Sequence, residues 1–226
     1  MTIDPDKFID HLVSDLKPTP PLRPPWIRAL LWFIFLAVVT ALAIYWVQEY
    51  RPGFWNQMNQ HWRFKAEMVS GTLLTLSTFY IVFASSIPGW KVNRGMTLTC
   101  LVSFFVFVGS VLTGFWMAAP ESSRLGARPF CEMEVLIYGG LSMGGLFYLI
   151  RNGIIVSYSS QNLLLGFSAG MISALIMQLA CMYDPLHGLL FHFIPALLLG
   201  VLGWVLSDRI KGYMDQKSKR LIQSNE

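Results

Sequence analysis

At 226 residues, 54% of them hydrophobic and only 13% charged, with a mean hydropathy of +0.50, the chain is too apolar for an ordinary soluble domain and reads as an integral membrane protein. The net charge of +4 does not point to direct nucleic-acid binding, because the basic residues sit in short loops and the C-terminal tail, where membrane orientation calls for them. Three cysteines with no C-x-x-C pair exclude a disulfide framework.

Residues 1–26 read as a cytosolic segment. Asp4 can cap a helix whose first position is Pro5, and Phe8, Ile9, Leu12, Val13 and Leu16 recur at helical spacing as one apolar stripe with Asp6, Asp10 and Asp15 off it. A lone helix of about three turns is marginal in water, so the stripe needs a cover. The membrane domain, the lipid surface and the groove of a partner protein are all open at this point. The following stretch KPTPPLRPPW, Lys17 to Trp26, carries five prolines and predicts a stiff polyproline II spacer up to the bilayer.

Six apolar runs follow, at 27–47, 66–87, 96–118, 131–150, 163–182 and 188–206, each close to the roughly 20 residues that cross the hydrocarbon. The first begins after a polar segment and lacks a small-residue cleavage site, so it is expected to stay as an anchor. The fold class is therefore all-α, an integral membrane bundle of six transmembrane helices over 27–206, with a cytosolic N-terminal segment and a basic tail over 207–226. With the N-terminus inside, Lys7, Lys17, Arg23, Arg28, Lys91, Arg94, Arg151, Arg209, Lys211, Lys217, Lys219 and Arg220 fall on one side. Arg51, Arg63, Lys65, Arg124 and Arg128 fall on the other. That asymmetry predicts an N-in, C-in topology.

The first outer loop, Gln48 to Lys65, has Trp55, Met58 and Trp62 at helical spacing, as a short interfacial helix would. Ile87 to Gly95, IPGWKVNRG, is a tight inner turn. Gly140-x-x-x-Gly144 and Gly166-x-x-x-Gly170 lie in the fourth and fifth spans, where absent side chains let helices approach closely. The tail from Ser207 has Ile210, Tyr213, Met214 and Leu221 on one side of a basic stretch, fit to lie along anionic lipid.

Polar chemistry concentrates in QLACMYDPLHGLLFHFIP, Gln178 to Pro195, which holds Cys181, Asp184, His187 and His192 in one interruption between two apolar runs. Cys131 opens the fourth span. In the expected topology Cys131 and Cys181 both lie at outer ends, at one depth, while Cys100 starts the third span on the inner side as a small hydrophobe. Several readings stay open: a disulfide, a thiophilic metal ion held at Cys131 and Cys181 with imidazole or carboxylate help, or cysteines that merely pack. His187 and His192 are five residues apart, off the i, i+4 spacing that places two ligands on one α-helical face, so at most one of them is expected to join the thiols while the other orients the site. Pro195 is expected to kink the last span beside His192.

The segment DLKPTPPLRPPWIR, Asp15 to Arg28, six spans, Cys131 at the head of the fourth and ACMYDPLHGLLFHF, Ala180 to Phe193, together resemble the NrsF-type negative regulators of extracytoplasmic-function sigma factors. The resemblance covers nearly the whole chain. It implies a multi-pass anti-sigma factor of the bacterial inner membrane, not an enzyme, that binds its sigma factor through Phe8, Ile9, Leu12, Val13 and Leu16. It also implies a stress signal sensed through Cys131 and Cys181. The alternative from another class is a small metal or solute permease with Cys181, Asp184, His187 and His192 at its outer mouth, disfavoured by spans whose middles carry no charge. A thiol oxidoreductase would need a vicinal cysteine pair, which the chain lacks. Oligomeric state is not legible.

Overall fold

The computed structural model describes residues 22–87, 89–117, 126–150 and 158–207. The predicted sigma-binding stripe Phe8, Ile9, Leu12, Val13 and Leu16, most of the proline-rich spacer and the basic tail lie outside the described residues. Among the described residues there are helices and no strands. These are α1 (Pro25–Val47), α2 (Phe54–Gln60), α3 (Trp62–Ser85), α4 (Arg94–Thr113), α5 (Cys131–Ile150), α6 (Tyr158–Ala180) and α7 (Pro185–Ser207).

Six of them, all but α2, are long and apolar enough to cross a membrane. The fourth coincides with the predicted 131–150; the others start a few residues earlier, because a helix begins at its polar cap and not at its first apolar residue, and three of them also end earlier. Trp62 to Lys65 belongs to α3 and not to the preceding loop, so the interfacial helix α2 is confined to Phe54–Gln60. That shift carries Arg63 into a span.

Local sequence explains the starts. α1 has Pro25 at its first turn, where a missing N–H costs nothing. α4 is capped by Asn93, whose side-chain oxygen accepts from Gly95 N at 2.8 Å. Asp184 caps α7 by accepting from His187 N at 2.8 Å, with Pro185 next in line.

α3 and α6 form the centre, 61% and 78% buried along their apolar windows, and α1, α5 and α7 pack about α6. Small residues make this possible. Gly166 meets the Leu199 carbonyl so closely that no Cβ fits, and Gly170 lies against Ala196, so α6 and α7 touch backbone to backbone. On α5 the predicted Gly140 and Gly144 face open space instead. The close approach to α6 is made by Gly139, where a Cβ would sit 3.0 Å from Gly170 Cα. Adjacent residues on a helix point about 100° apart, so the same short motif reaches a different neighbour.

Buried hydroxyls return to their own helix, as Thr75 Oγ1 does to Gly71 O (2.8 Å) and Thr78 Oγ1 to Leu74 O (2.9 Å). They therefore satisfy themselves without bridging helices. α1 is fastened at both ends. Near its start the Arg28 guanidinium lies 4.5 Å over the Phe83 ring of α3, and near its end Arg128 donates to Ile44 O (3.2 Å) and Gln48 O (2.6 Å).

Candidate functional site

Cys131 is the first residue of α5, delivered by a loop that turns at Gly126 with φ of +78°. A side chain there would also strike the Arg51 stem, 2.7 Å from its Cγ, so glycine is required twice over. Arg128 pins the same loop to α1 and pairs with Glu134 of α5 at 3.0 Å. Its carbonyl lies 3.4 Å from Cys131 Sγ.

Cys181 ends α6, where the chain leaves helical geometry for the four-residue connection Cys181–Asp184 before α7. The Gly139–Gly170 approach of α5 and α6 draws the two thiols together, as the adjacency of their spans led one to expect. Their sulfurs stand 2.6 Å apart, and both residues are fully buried. The sulfurs are thus in direct contact, near enough for a covalent S–S bond of about 2.05 Å or for joint ligation of one tetrahedral zinc ion, which spaces two thiolates at about 3.8 Å.

Both imidazoles join them. His187 Nε2 is 3.2 Å from Cys181 Sγ, and the His192 ring crosses the His187 ring nearly at right angles with centroids 5.2 Å apart. One ligand atom from each of Cys131, Cys181, His187 and His192 falls within 4.8 Å of all the others. α-Helical spacing would let at most one histidine reach the thiols, yet both lie within reach, and the reason is local. Gly188–Phe193 is a π-helical turn, in which the repeat lengthens from i, i+4 to i, i+5 and residues five apart share a face.

The donor set fits a soft or borderline cation. Two sulfurs and two imidazoles make the Cys2His2 set of four-coordinate zinc sites. His192 is 2% exposed, and neither ring nitrogen has a hydrogen-bond partner among the described residues. Such a buried orphan is costly unless something binds it. When bound, a metal ion there would act as a crosslink among the heads of α5 and α7 and the end of α6. Asp184 lies outside this group of four; one of its carboxylate oxygens caps α7, and the residue lines the small cavity next to His192.

Charge within the cluster is asymmetric. Donation from Cys131 holds the Cys181 thiol well below its ordinary range, and His187 and His192 add to this against the opposing effect of burial.

A second polar group adjoins the first. Glu67 of α3 accepts from Tyr183 Oη (2.8 Å) and from Gln178 Nε2 (2.5 Å), and its carboxylate lies 3.4 Å from Arg63 Nε. Arg63 Nε also donates to Tyr183 Oη at 2.9 Å. Burial, then the Glu67 carboxylate, raise the Tyr183 phenol above its usual range, so it stays a neutral donor. A small cavity of about 20 Å3 between Glu67, Gln178, Asp184 and His192 separates this group from the thiols. None of Arg63, Glu67 and Tyr183 was expected from the sequence. The available signal was an Arg and a Glu four apart at the mouth of an apolar run, an i, i+4 pair that an error of about one turn in the span boundary hid.

Fold and cluster together define a helical membrane protein with a thiol and imidazole site near one end of its bundle. A family model described as NrsF, negative regulator of sigma F, matches residues 12–211, and the chain belongs to that family. Comparison with curated proteins and with solved structures gives no match. The family description names the partner class, a sigma factor, and the sign of the effect, negative.

Proposed function

We propose that this protein is a membrane-anchored anti-sigma factor of the bacterial inner membrane. It holds an extracytoplasmic-function sigma factor through its N-terminal segment and releases it when the outer-face cluster Cys131, Cys181, His187 and His192 is oxidised or captures a thiophilic metal ion. In this reading residues 1–26 are the sigma-binding helix and spacer, 27–206 the sensor and 207–226 a cytosolic tail, with both termini inside. The protein is a regulator and not an enzyme, and its contact with DNA is indirect, through the sigma factor.

One observation carries the sensor reading: two fully buried sulfurs from separate helices, 2.6 Å apart, with two imidazoles on them. Either signal moves the sulfurs. Oxidation by a two-electron thiol oxidant such as diamide, which takes up the electrons and protons, bonds the sulfurs at about 2.05 Å. A divalent ion binds both as thiolates, displacing any thiol proton, and spaces them at about 3.8 Å. These are different separations of one junction, and each requires its packing to change.

The permease alternative has less support. The cavity of about 20 Å3 beside the site admits about one water molecule, too little for a hydrated ion. The spans do hold a buried charge pair, Arg63 and Glu67, but in the opening turns of α3, where each answers the other.

The test is a pull-down from membranes with the intact protein and a Cys131→Ser, Cys181→Ser variant, each with and without the thiol oxidant diamide or zinc ion. The sigma factor is expected to leave the intact protein and remain on the variant. Equal release from both removes the cysteines from the mechanism.

A further inference from the structure

Glu67 and Arg63 are 3% and 6% exposed inside a membrane-spanning helix, and neither belongs to the thiol and imidazole cluster. Ionisable side chains are held at such a place for a use, because their desolvation is not otherwise recovered. What they hold is Tyr183. Its hydroxyl is gripped between Arg63 Nε and Glu67 Oε1, at 2.9 and 2.8 Å. Its ring stands edge-on to Phe64, with centroids 4.9 Å apart, and the guanidinium groups of Arg63 and Arg51 lie 4.9 and 5.6 Å from its centre. Arg63, Phe64 and Glu67 all belong to α3, and Gln178 of α6 closes the group from behind.

Tyr183 lies two residues after Cys181, in the four-residue connection between α6 and α7. So short a non-helical link has little slack, and a displaced Cys181 must either drag Tyr183 or break its hold. α3 in turn packs along α1, which emerges from the N-terminal segment, and Arg28 of α1 lies on Phe83 of α3.

We propose that the Arg63–Glu67–Tyr183 group is the coupling clamp of the sensor, with Tyr183 the positioning residue that passes movement of Cys181 to α3 and, through α3, to α1. The proposal rests on the reading of the cysteine cluster as the sensing site. The clamp works because packed interfaces switch between discrete arrangements and do not deform continuously. A small change at the sulfurs is thereby made large enough to matter at the far end of α1.

The experiment uses the full chain in nanodiscs, zinc ion as the probe, and two readouts: zinc bound per protein, and hydrogen exchange along α1 and α3. In the wild type, zinc binding is expected to change exchange in both helices by about fivefold or more, the lower end of typical coupling between sites. Tyr183→Phe removes one oxygen and keeps the ring. It is expected to bind zinc with unchanged stoichiometry while the change in α1 and α3 disappears. Glu67→Gln keeps an acceptor for the Tyr183 hydroxyl and is expected to retain most of the response, whereas Glu67→Ala is expected to behave like Tyr183→Phe. A Tyr183→Phe protein that still transmits the full change overturns the clamp, as does a wild type that binds zinc through the cysteines and shows no change in α3. Zinc binding that survives in the Cys131→Ser, Cys181→Ser variant refutes the reading of the site itself, and the clamp with it.

Discussion

His192 shows how much a single residue depends on the pitch of its turn. In an α-helix its five-residue offset from His187 would swing one imidazole away from the thiols, and the sequence alone offers no reason to expect otherwise. Gly188–Phe193 forms a π-helical turn, and Pro195 follows two residues later. A proline ring cannot approach the carbonyl four residues back, and a widened turn just before it accommodates that conflict. The expected distortion is present, but as an inserted residue that turns His192 inward. If His192 is a ligand and not packing, His192→Ala should weaken zinc binding by more than the 10- to 100-fold that loss of an outer-shell partner typically costs. Isothermal titration of the solubilised protein measures this, and an unchanged affinity would limit the site to the two thiols and His187. The clustering of these residue types near Cys131 was thus legible in the sequence, whereas the widened turn that brings both imidazoles within reach of the sulfurs was not.

At the scale of elements, small residues decide which helices meet. The Gly-x-x-x-Gly pattern identified α5 and α6 as close-packing helices, yet on α5 the contact is made by Gly139 and the patterned Gly140 and Gly144 face open space. Gly166 takes part in a different interface, against Leu199 of α7. Gly166→Ala must push α6 and α7 apart at a backbone contact and is expected to cost about 1–3 kcal/mol, the usual range for overpacking. Gly140→Ala and Gly144→Ala should stay within about 0.5 kcal/mol of the wild type, as substitutions that meet nothing generally do. Unfolding in mixed detergent micelles compares the three variants directly. Equal destabilisation by all of them would mean that the motif, and not its rotational placement, governs packing. Span lengths could be counted along the chain because the bilayer sets them, but rotation about a helix axis is chosen by every neighbour at once.

For the whole molecule, the thiol cluster lies at the end of the bundle where α1 finishes, and the N-terminal segment joins α1 at its opposite end. Deletion of residues 1–25 is expected to abolish co-purification of the sigma factor while membrane insertion and zinc binding persist. Retained sigma factor after that deletion would move the gripping surface to the loops or the tail. Three of the cations assigned to outer loops, Arg51, Arg63 and Arg128, turn out to be buried. They are structural ties: Arg51 packs near Phe64 and Tyr183, Arg63 holds Tyr183, and Arg128 fastens the loop before Cys131 to α1. Hydropathy counting treats such residues as surface charges, since it has no means of knowing which carbonyl or carboxylate will come within reach.

By itself the sequence determined that this chain makes six apolar helices, that two of its cysteines stand at neighbouring helix ends, and that it resembles a family of sigma-factor regulators. Each of these follows from a one-dimensional demand, the length needed to satisfy every backbone group across hydrocarbon, or from residues read in order. Only the tertiary structure decided that both imidazoles close on the sulfurs and that Tyr183 is locked between Arg63 and Glu67 of α3. Those contacts depend on how far each helix is rotated and where one turn is widened, which are properties of the assembled bundle and not of any single segment.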